Sequence, residues 1–250
     1  MNVSVLMGVA ILVPVFCAAN CFAAEDILVK KTKTIVVFGD STTATRGKLE
    51  IYANCLAREL PAKGIKAEII NAGIGGNTTQ MAVSRLDKDV LQKNPDLVVI
   101  QFGINDSAVD VWKTPPATES RVSKDNYIQN LEKLVETLKA RKCSVILMTP
   151  NRMCWTPRLK EQYNKPPYST DDPDGFNVTL REYAQSVRQI AEKHKIPLVD
   201  VYAAYSAYGK VENHSVNDLL LDGMHPNDKG QRLVADLLIG EIVKLNEANQ

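Results

Sequence analysis

From residue 34 onward, continuous apolar runs alternate along the chain with apolar residues at helical spacing. β-Branched and apolar residues crowd Thr34-Ile35-Val36-Val37-Phe38, Ala67 to Asn71, Leu97 to Phe102, Ser144 to Thr149 and Pro197 to Val201. Short runs of this kind, without polar alternation, read as strands buried on both faces. Between them the period changes. Tyr127, Ile128, Leu131, Leu134, Val135 and Leu138 recur at steps of three and four, as do Leu180, Tyr183, Ala184, Val187, Ile190 and Ala191. A last helix opens near Asn227, a good N-cap residue, and turns Leu233, Val234, Leu237, Leu238 and Ile242 inward. Five strands alternating with helices predict an α/β fold with a parallel sheet covered on both faces and right-handed crossovers.

Two stretches, about 107–123 and about 151–176, exceed the usual connection. Both follow a strand, so both belong on the carboxyl-end rim of the sheet, where open α/β sheets bind ligands. Each holds one of the two tryptophans, Trp112 and Trp155. Pro115-Pro116 and Pro166-Pro167 predict shaped loops there and not extra helices.

At 250 residues and 45% apolar, the chain can bury one sizeable core, and one domain is expected. A formal charge of +1 with scattered Lys and Arg gives no general attraction to nucleic acid or anionic membrane. Residues 1–24 differ from the rest: they carry no charged side chain, run apolar from Val5 to Val15, and continue as Cys17-Ala18-Ala19-Asn20-Cys21-Phe22-Ala23-Ala24. That pattern reads as a secretory signal cut near Ala23 or Ala24, leaving 25–250 as a periplasmic or extracellular domain. A retained lipid or signal anchor is the competing reading. Beyond it, nothing approaches the ~20 apolar residues of a membrane span. Cys55, Cys143 and Cys154 remain, which permits at most one disulfide, and small buried apolar residues are the favoured reading of all three. No Cys/His spacing matches a zinc site.

Four islands carry candidate chemistry. Gly39-Asp40-Ser41-Thr42 ends the first strand and offers Ser41 as a nucleophile, which needs a base within hydrogen-bond reach. The same residues also make an ordinary turn or N-cap. Among three histidines, His194 lies in the charged helix end Glu192-Lys193-His194-Lys195, and His214 lies in a polar stretch without an obvious partner. His225, in Asp222-Gly223-Met224-His225-Pro226, has a carboxylate three residues earlier. An Asp-x-x-His turn can bring Asp222 onto Nδ1 and leave Nε2 for Ser41. Alternatively, Asp222 bonds backbone N–H groups at the entry to the last helix. The other two islands are Asn71-Ala72-Gly73-Ile74-Gly75-Gly76-Asn77 and Gly103-Ile104-Asn105-Asp106. Gly76 and Asn105, with the N–H of Ser41, are candidate donors to an oxyanion, and Gly73 and Gly75 are alternatives to Gly76. A turn into a helix capped by Asn77 or Thr78 is compatible with that role.

In this order and spacing the islands resemble the SGNH (GDSL) hydrolase superfamily. The resemblance implies a three-layer α/β/α sandwich with a five-stranded parallel sheet, of flavodoxin-like architecture, over roughly 33–246. It implies Ser41 as nucleophile, Asp222 and His225 as its partners, and Ser41, Gly76 and Asn105 as oxyanion hole, with neither metal nor organic cofactor. Thr42 stands where many members carry leucine, and Gly-Asp-Ser-Thr is similar to carbohydrate-esterase branches such as the rhamnogalacturonan acetylesterases. The expected function is removal of acetyl or other short acyl groups from a saccharide through an acyl-enzyme. Alternatives are a longer-chain lipase-like or thioesterase-like hydrolase, an acyltransferase, and a non-catalytic saccharide-binding relative. Trp112 and Trp155 serve as sugar platforms in one reading and pin their loops to the body in the other.

Overall fold

The protein's structure, a computed structural model, describes Met1 and residues 32–248. The expected signal, with Cys17 and Cys21, otherwise lies outside the described residues. Residues 32–248 belong to one compact unit. Its strands are β1 (Lys33–Gly39), β2 (Ala67–Gly73), β3 (Leu97–Gln101), β4 (Ser144–Met148) and β5 (Leu198–Val199). All pair in parallel, in the order β2-β1-β3-β4-β5. The helices are α1 (Tyr52–Glu59), α2 (Thr79–Asp89), α3 (Ile104–Ser107), α4 (Lys124–Ala140), α5 (Pro157–Gln162), α6 (Leu180–His194), α7 (Val201–Tyr208) and α8 (Asp228–Ala248).

Alternate residues of β1 feed opposite layers, as the strand period of two requires. Ile35 and Val37 pack with Leu56 of α1 and Leu238 of α8; Val36 and Phe38 pack with Ala82 of α2 and Leu134 of α4. Strands β1 and β3 are therefore apolar throughout their inner positions, while β2, at the sheet edge, is only partly buried. The order reverses between β1 and β3, so a crevice opens at their carboxyl ends, the switch point where such sheets bind ligands. Ser41 follows β1, and Asn105 follows β3.

Both long stretches rise on that rim, with one departure from expectation. Pro157–Gln162 is a short helix, because Thr156 accepts a bond from the Leu159 N–H and Pro157 occupies the first turn, where its missing donor does no harm. The rim loops share a third apolar cluster, in which Tyr163, Tyr168 and Phe176 meet at centroid distances of 5.2–5.6 Å. Trp155 stacks on Phe176 at 4.5 Å and donates its indole N–H to the Asp172 carbonyl. It pins its loop. Trp112, by contrast, is 46% exposed. His194 is less solvated than its charged neighbours imply, with a side chain only 11% exposed beside Glu132. His214 stacks on Tyr208 at 4.5 Å. The three described cysteines are free; Cys55 and Cys143 are buried and Cys154 is half-buried.

Candidate active site

The turn after β1 is built by Asp40. Its carboxylate accepts the Thr42 N–H at 2.8 Å and lies 2.9 Å from the Thr42 hydroxyl, while Thr43 and Ala44 close the turn on the Asp40 carbonyl. Distant residues fix this turn from three sides. Gln231 of α8 donates to the Thr42 carbonyl at 3.1 Å and accepts the Tyr52 N–H at 2.8 Å. Asn71 at the end of β2 donates to the Thr43 carbonyl at 2.9 Å. Arg85 of α2 donates to the carbonyls of Gly39 and Ala72 and to the Asn77 side chain, so it ties the Ser41 turn to the Gly76 turn.

Within that frame Ser41 Oγ lies 3.0 Å from His225 Nε2, across 184 positions of sequence. His225 Nδ1 lies 2.8 Å from Asp222 Oδ2. Asp222 Oδ1 also accepts the N–H groups of Met224 and His225, so both readings of this turn hold together. Gly223 makes it feasible: its φ is +86°, and a Cβ there would fall 2.5 Å from the Cys154 carbonyl oxygen. Asn151, fully buried, donates to the Met224 carbonyl at 2.9 Å and anchors the turn from the end of β4. Burial works to raise the Asp222 carboxyl, but its bonds from His225 and Met224 outweigh that and hold it below the usual carboxylate range. Asp222 is thus ionised wherever an imidazole titrates, and orients the ring with Nδ1 as donor.

Three donor groups converge on the space before Ser41. The backbone N–H groups of Ser41 and Gly76 have no acceptor among the described residues. The N–H of Gly73 is already given to Asn71, whereas Gly76, at φ +76°, lines the cavity. Asn105 donates one amide proton to the Asn77 carbonyl at 3.0 Å, leaving the other free. Its amide oxygen accepts from Arg121 at 3.2 Å. A flipped amide would set oxygen against carbonyl and NH₂ against guanidinium, so Arg121 and Asn77 together enforce the donor orientation. Arg121 in turn grips Asp110 through Nε and Nη2, at 3.1 and 2.7 Å. Burial alone would raise the Asp110 carboxyl; Arg121 and Lys113 together hold it low. Nothing in the local sequence singled out Arg121, Arg85 or Gln231, since each acts on a residue far from it in the chain.

Two further carboxyls lie under the site. Burial, the dominant cause, pushes both Asp40 and Asp106 up to about 6. Asp106 bonds the N–H and hydroxyl of Thr79 through Oδ1, while its buried Oδ2 has no partner. A carboxyl whose folded pKa is raised favours folding below its unfolded pKa of ~3.9, and that contribution is lost as pH rises through the folded value. Thermal melts from pH ~4 to ~7 should therefore show a stability component that is lost as pH rises to ~6, and Asp40→Asn should remove only part of it, leaving the share of Asp106. An unchanged slope in that variant would mean that Asp40 does not titrate there.

The cavity in front of Ser41 has a volume of about 240 Å³, and its walls include Ile104, Met153, Phe176 and Met224. Among the described residues no cluster of three His, Cys, Asp or Glu side chains could hold a metal ion, and no helix is long and apolar enough to cross a membrane. All five residues expected from sequence, Ser41, Gly76, Asn105, Asp222 and His225, come together at the rim. The arrangement can pass a proton from a hydroxyl to an imidazole and hold a negative oxygen beside it.

Several known proteins resemble this chain over most of its length. An acetylxylan esterase of Geobacillus stearothermophilus is 31% identical over 78% of this chain and 80% of its own length. The Bacillus subtilis lipoprotein YqeF is 29% identical over 80% of this chain and 85% of its own. Among solved structures, a lipase/acylhydrolase from Enterococcus faecalis superposes with a TM-score of 0.66 at 29% identity, covering 85% of this chain and 96% of that one. An acetylxylan esterase structure from Geobacillus stearothermophilus gives 0.68 at 27%, covering 84% and 94%. Residues 37–233 match the GDSL-like lipase/acylhydrolase family, and the chain belongs to that family as a carboxylic ester hydrolase.

Proposed function

We propose that this chain is an exported serine esterase that removes acetyl groups from a saccharide of the xylan type, using Ser41, His225 and Asp222. The observation that carries the mechanism is the unbroken contact from Ser41 Oγ to His225 Nε2 at 3.0 Å and from Nδ1 to Asp222 at 2.8 Å. His225 takes the hydroxyl proton as Ser41 attacks the ester carbon. The oxyanion forms among the N–H groups of Ser41 and Gly76 and the free amide proton of Asn105. His225 then returns the proton to the departing sugar oxygen, and the acyl-serine remains. Water, deprotonated by the same imidazole, releases acetate and restores Ser41.

The small acyl group is supported by the cavity. At about 240 Å³ it falls below the ~300–1,000 Å³ of sites for drug-sized ligands. The tightly packed aromatic cluster at its wall also leaves long chains little room. The saccharide is supported by the relatives named acetylxylan esterases, and export by the lipoprotein relative together with the uncharged, apolar residues 1–24.

A p-nitrophenyl ester series from acetate to octanoate, with Ser41→Ala subtracted, tests the reading. The Ser41-dependent rate should peak at acetate, and acetylated xylo-oligosaccharides should release acetate. A peak at octanoate would replace the acetylesterase by a longer-chain acyl hydrolase with the same three residues. The rate should also fall on acidification, because an imidazole that already holds a proton cannot accept one from Ser41. A rate flat from pH ~8 to ~5 would remove His225 as base.

A further inference from the structure

Arg85 reaches the turns of all three oxyanion donors at once. It lies on α2 with a side chain only 13% exposed, and its guanidinium sits 4.3 Å from the ring centroid of Phe38 in β1. Nη2 donates to the Gly39 carbonyl at 2.9 Å, two positions before the Ser41 N–H. Nη1 donates to the Ala72 carbonyl at 2.8 Å and Nε to the Asn77 side chain at 2.7 Å, so the turn that carries Gly76 is held at both ends. The Asn77 carbonyl, in turn, accepts the Asn105 amide proton at 3.0 Å. Each donor is thus within two residues, or one hydrogen bond, of a group bonded to Arg85.

Anchoring α2 does not require this arrangement. Ala82 and Leu86 already bury the helix in the apolar layer it shares with α4, at 0% and 6% exposure. Thr78 caps its first turn, and Asp106 accepts both the N–H and the hydroxyl of Thr79. A half-buried guanidinium is costly to desolvate, and Asp89, one helical turn later, supplies a counter-charge at 3.1 Å. A residue serving the helix alone would have no need of carbonyls from two separate loops. The planar fork holds its acceptors at fixed angles, whereas a lysine ammonium in its place is a point charge on a flexible stem. Oxyanion donors act by being aimed before the charge develops. A group that fixes their relative positions therefore acts on the transition state and not on the bound ester.

Resting on the serine-esterase reading above, we infer that Arg85 is a positioning residue for catalysis. It sets the N–H groups of Ser41 and Gly76 and the amide of Asn105 in one alignment around the oxyanion. It does not line the cavity itself.

The test compares Arg85→Lys and Leu86→Ala in hydrolysis of p-nitrophenyl acetate, with rates expressed per folded enzyme. Arg85→Lys should lower kcat by about 10- to 100-fold and leave KM within about twofold. Where Arg85→Lys does not fold, Arg85→Gln is read in the same way. Leu86→Ala, which loosens the same helix without touching the fork, should lower the melting temperature with kcat nearly intact. Adding Arg85→Lys to Asn105→Ala should cost less than adding it to wild type, because the hole it aligns is already broken. The inference is overturned if Arg85→Lys keeps wild-type kcat, if its loss lies in KM, or if its loss and that of Asn105→Ala multiply. It is overturned too if Leu86→Ala, destabilised to the same degree, loses as much kcat. Activity that survives in Ser41→Ala would instead overturn the mechanism on which the inference rests.

Discussion

Ser41→Ala and His225→Ala should each lower kcat on p-nitrophenyl acetate by at least ~10⁴-fold, and the double variant should be little worse than either. The reason lies in how the pair acts. The hydroxyl is a weak nucleophile until Nε2, 3.0 Å away, takes its proton, and the imidazole has no second substrate on which to act. Removing either group abolishes one shared step. The N–H donors around the oxyanion survive both substitutions, so a residual rate above the uncatalysed reaction should persist. Asp222→Asn should fall short of these losses while remaining severe, because it removes the ionised partner that fixes the ring tautomer. Steady-state kinetics on purified, folded variants would check this. A double variant whose loss is the product of the two single losses would mean that Ser41 and His225 do not act as one unit.

Asn105→Ala should reduce kcat by about 100- to 1,000-fold with a smaller change in KM, the effect of losing one donor to a charge that develops only in the transition state. Arg121 extends the prediction to a residue that need not touch the oxyanion. Arg121→Lys keeps a cation beside Asp110 but loses the planar fork that holds both Asp110 and the Asn105 oxygen. It should therefore lower kcat less than Asn105→Ala and leave the melting temperature nearly intact. Arg121→Ala should do both kinds of damage, because Asp110 is buried and would keep only Lys113 as its cation. If Arg121→Lys matched wild type in kcat, the amide would be held by Asn77 alone.

The sequence foretold the parts that depend on local pattern. Continuous apolar runs identify β1, β3 and β4 because strands buried on both faces carry no alternation. The Asp-x-x-His spacing places Asp222 on His225 within one turn. Asn227 caps α8 as expected, accepting the Gly230 N–H. What escaped depends on distant pairing. Arg85, Arg121 and Gln231 look like ordinary polar residues in their own segments and acquire a purpose only when the sheet brings the ends of β1, β2 and β3 together. The helix α5 was obscured by the prolines around it, although Thr156-Pro157 is itself a sound helix start. Trp155 and Trp112 had similar surroundings in sequence, yet one is stacked on Phe176 and the other is half open. That distinction belongs to packing, which a one-dimensional pattern does not hold.

The bond from Gln231 to the Thr42 carbonyl joins positions 189 apart, and His225 comes from the same late segment. Chain leaving a ribosome would thus complete the sheet, with Ser41 already at its edge, well before the imidazole existed. A product lacking α8 and the turn before it would own every strand and no base. Esterase activity in this protein is therefore a report that α8 and the turn before it have docked against β1.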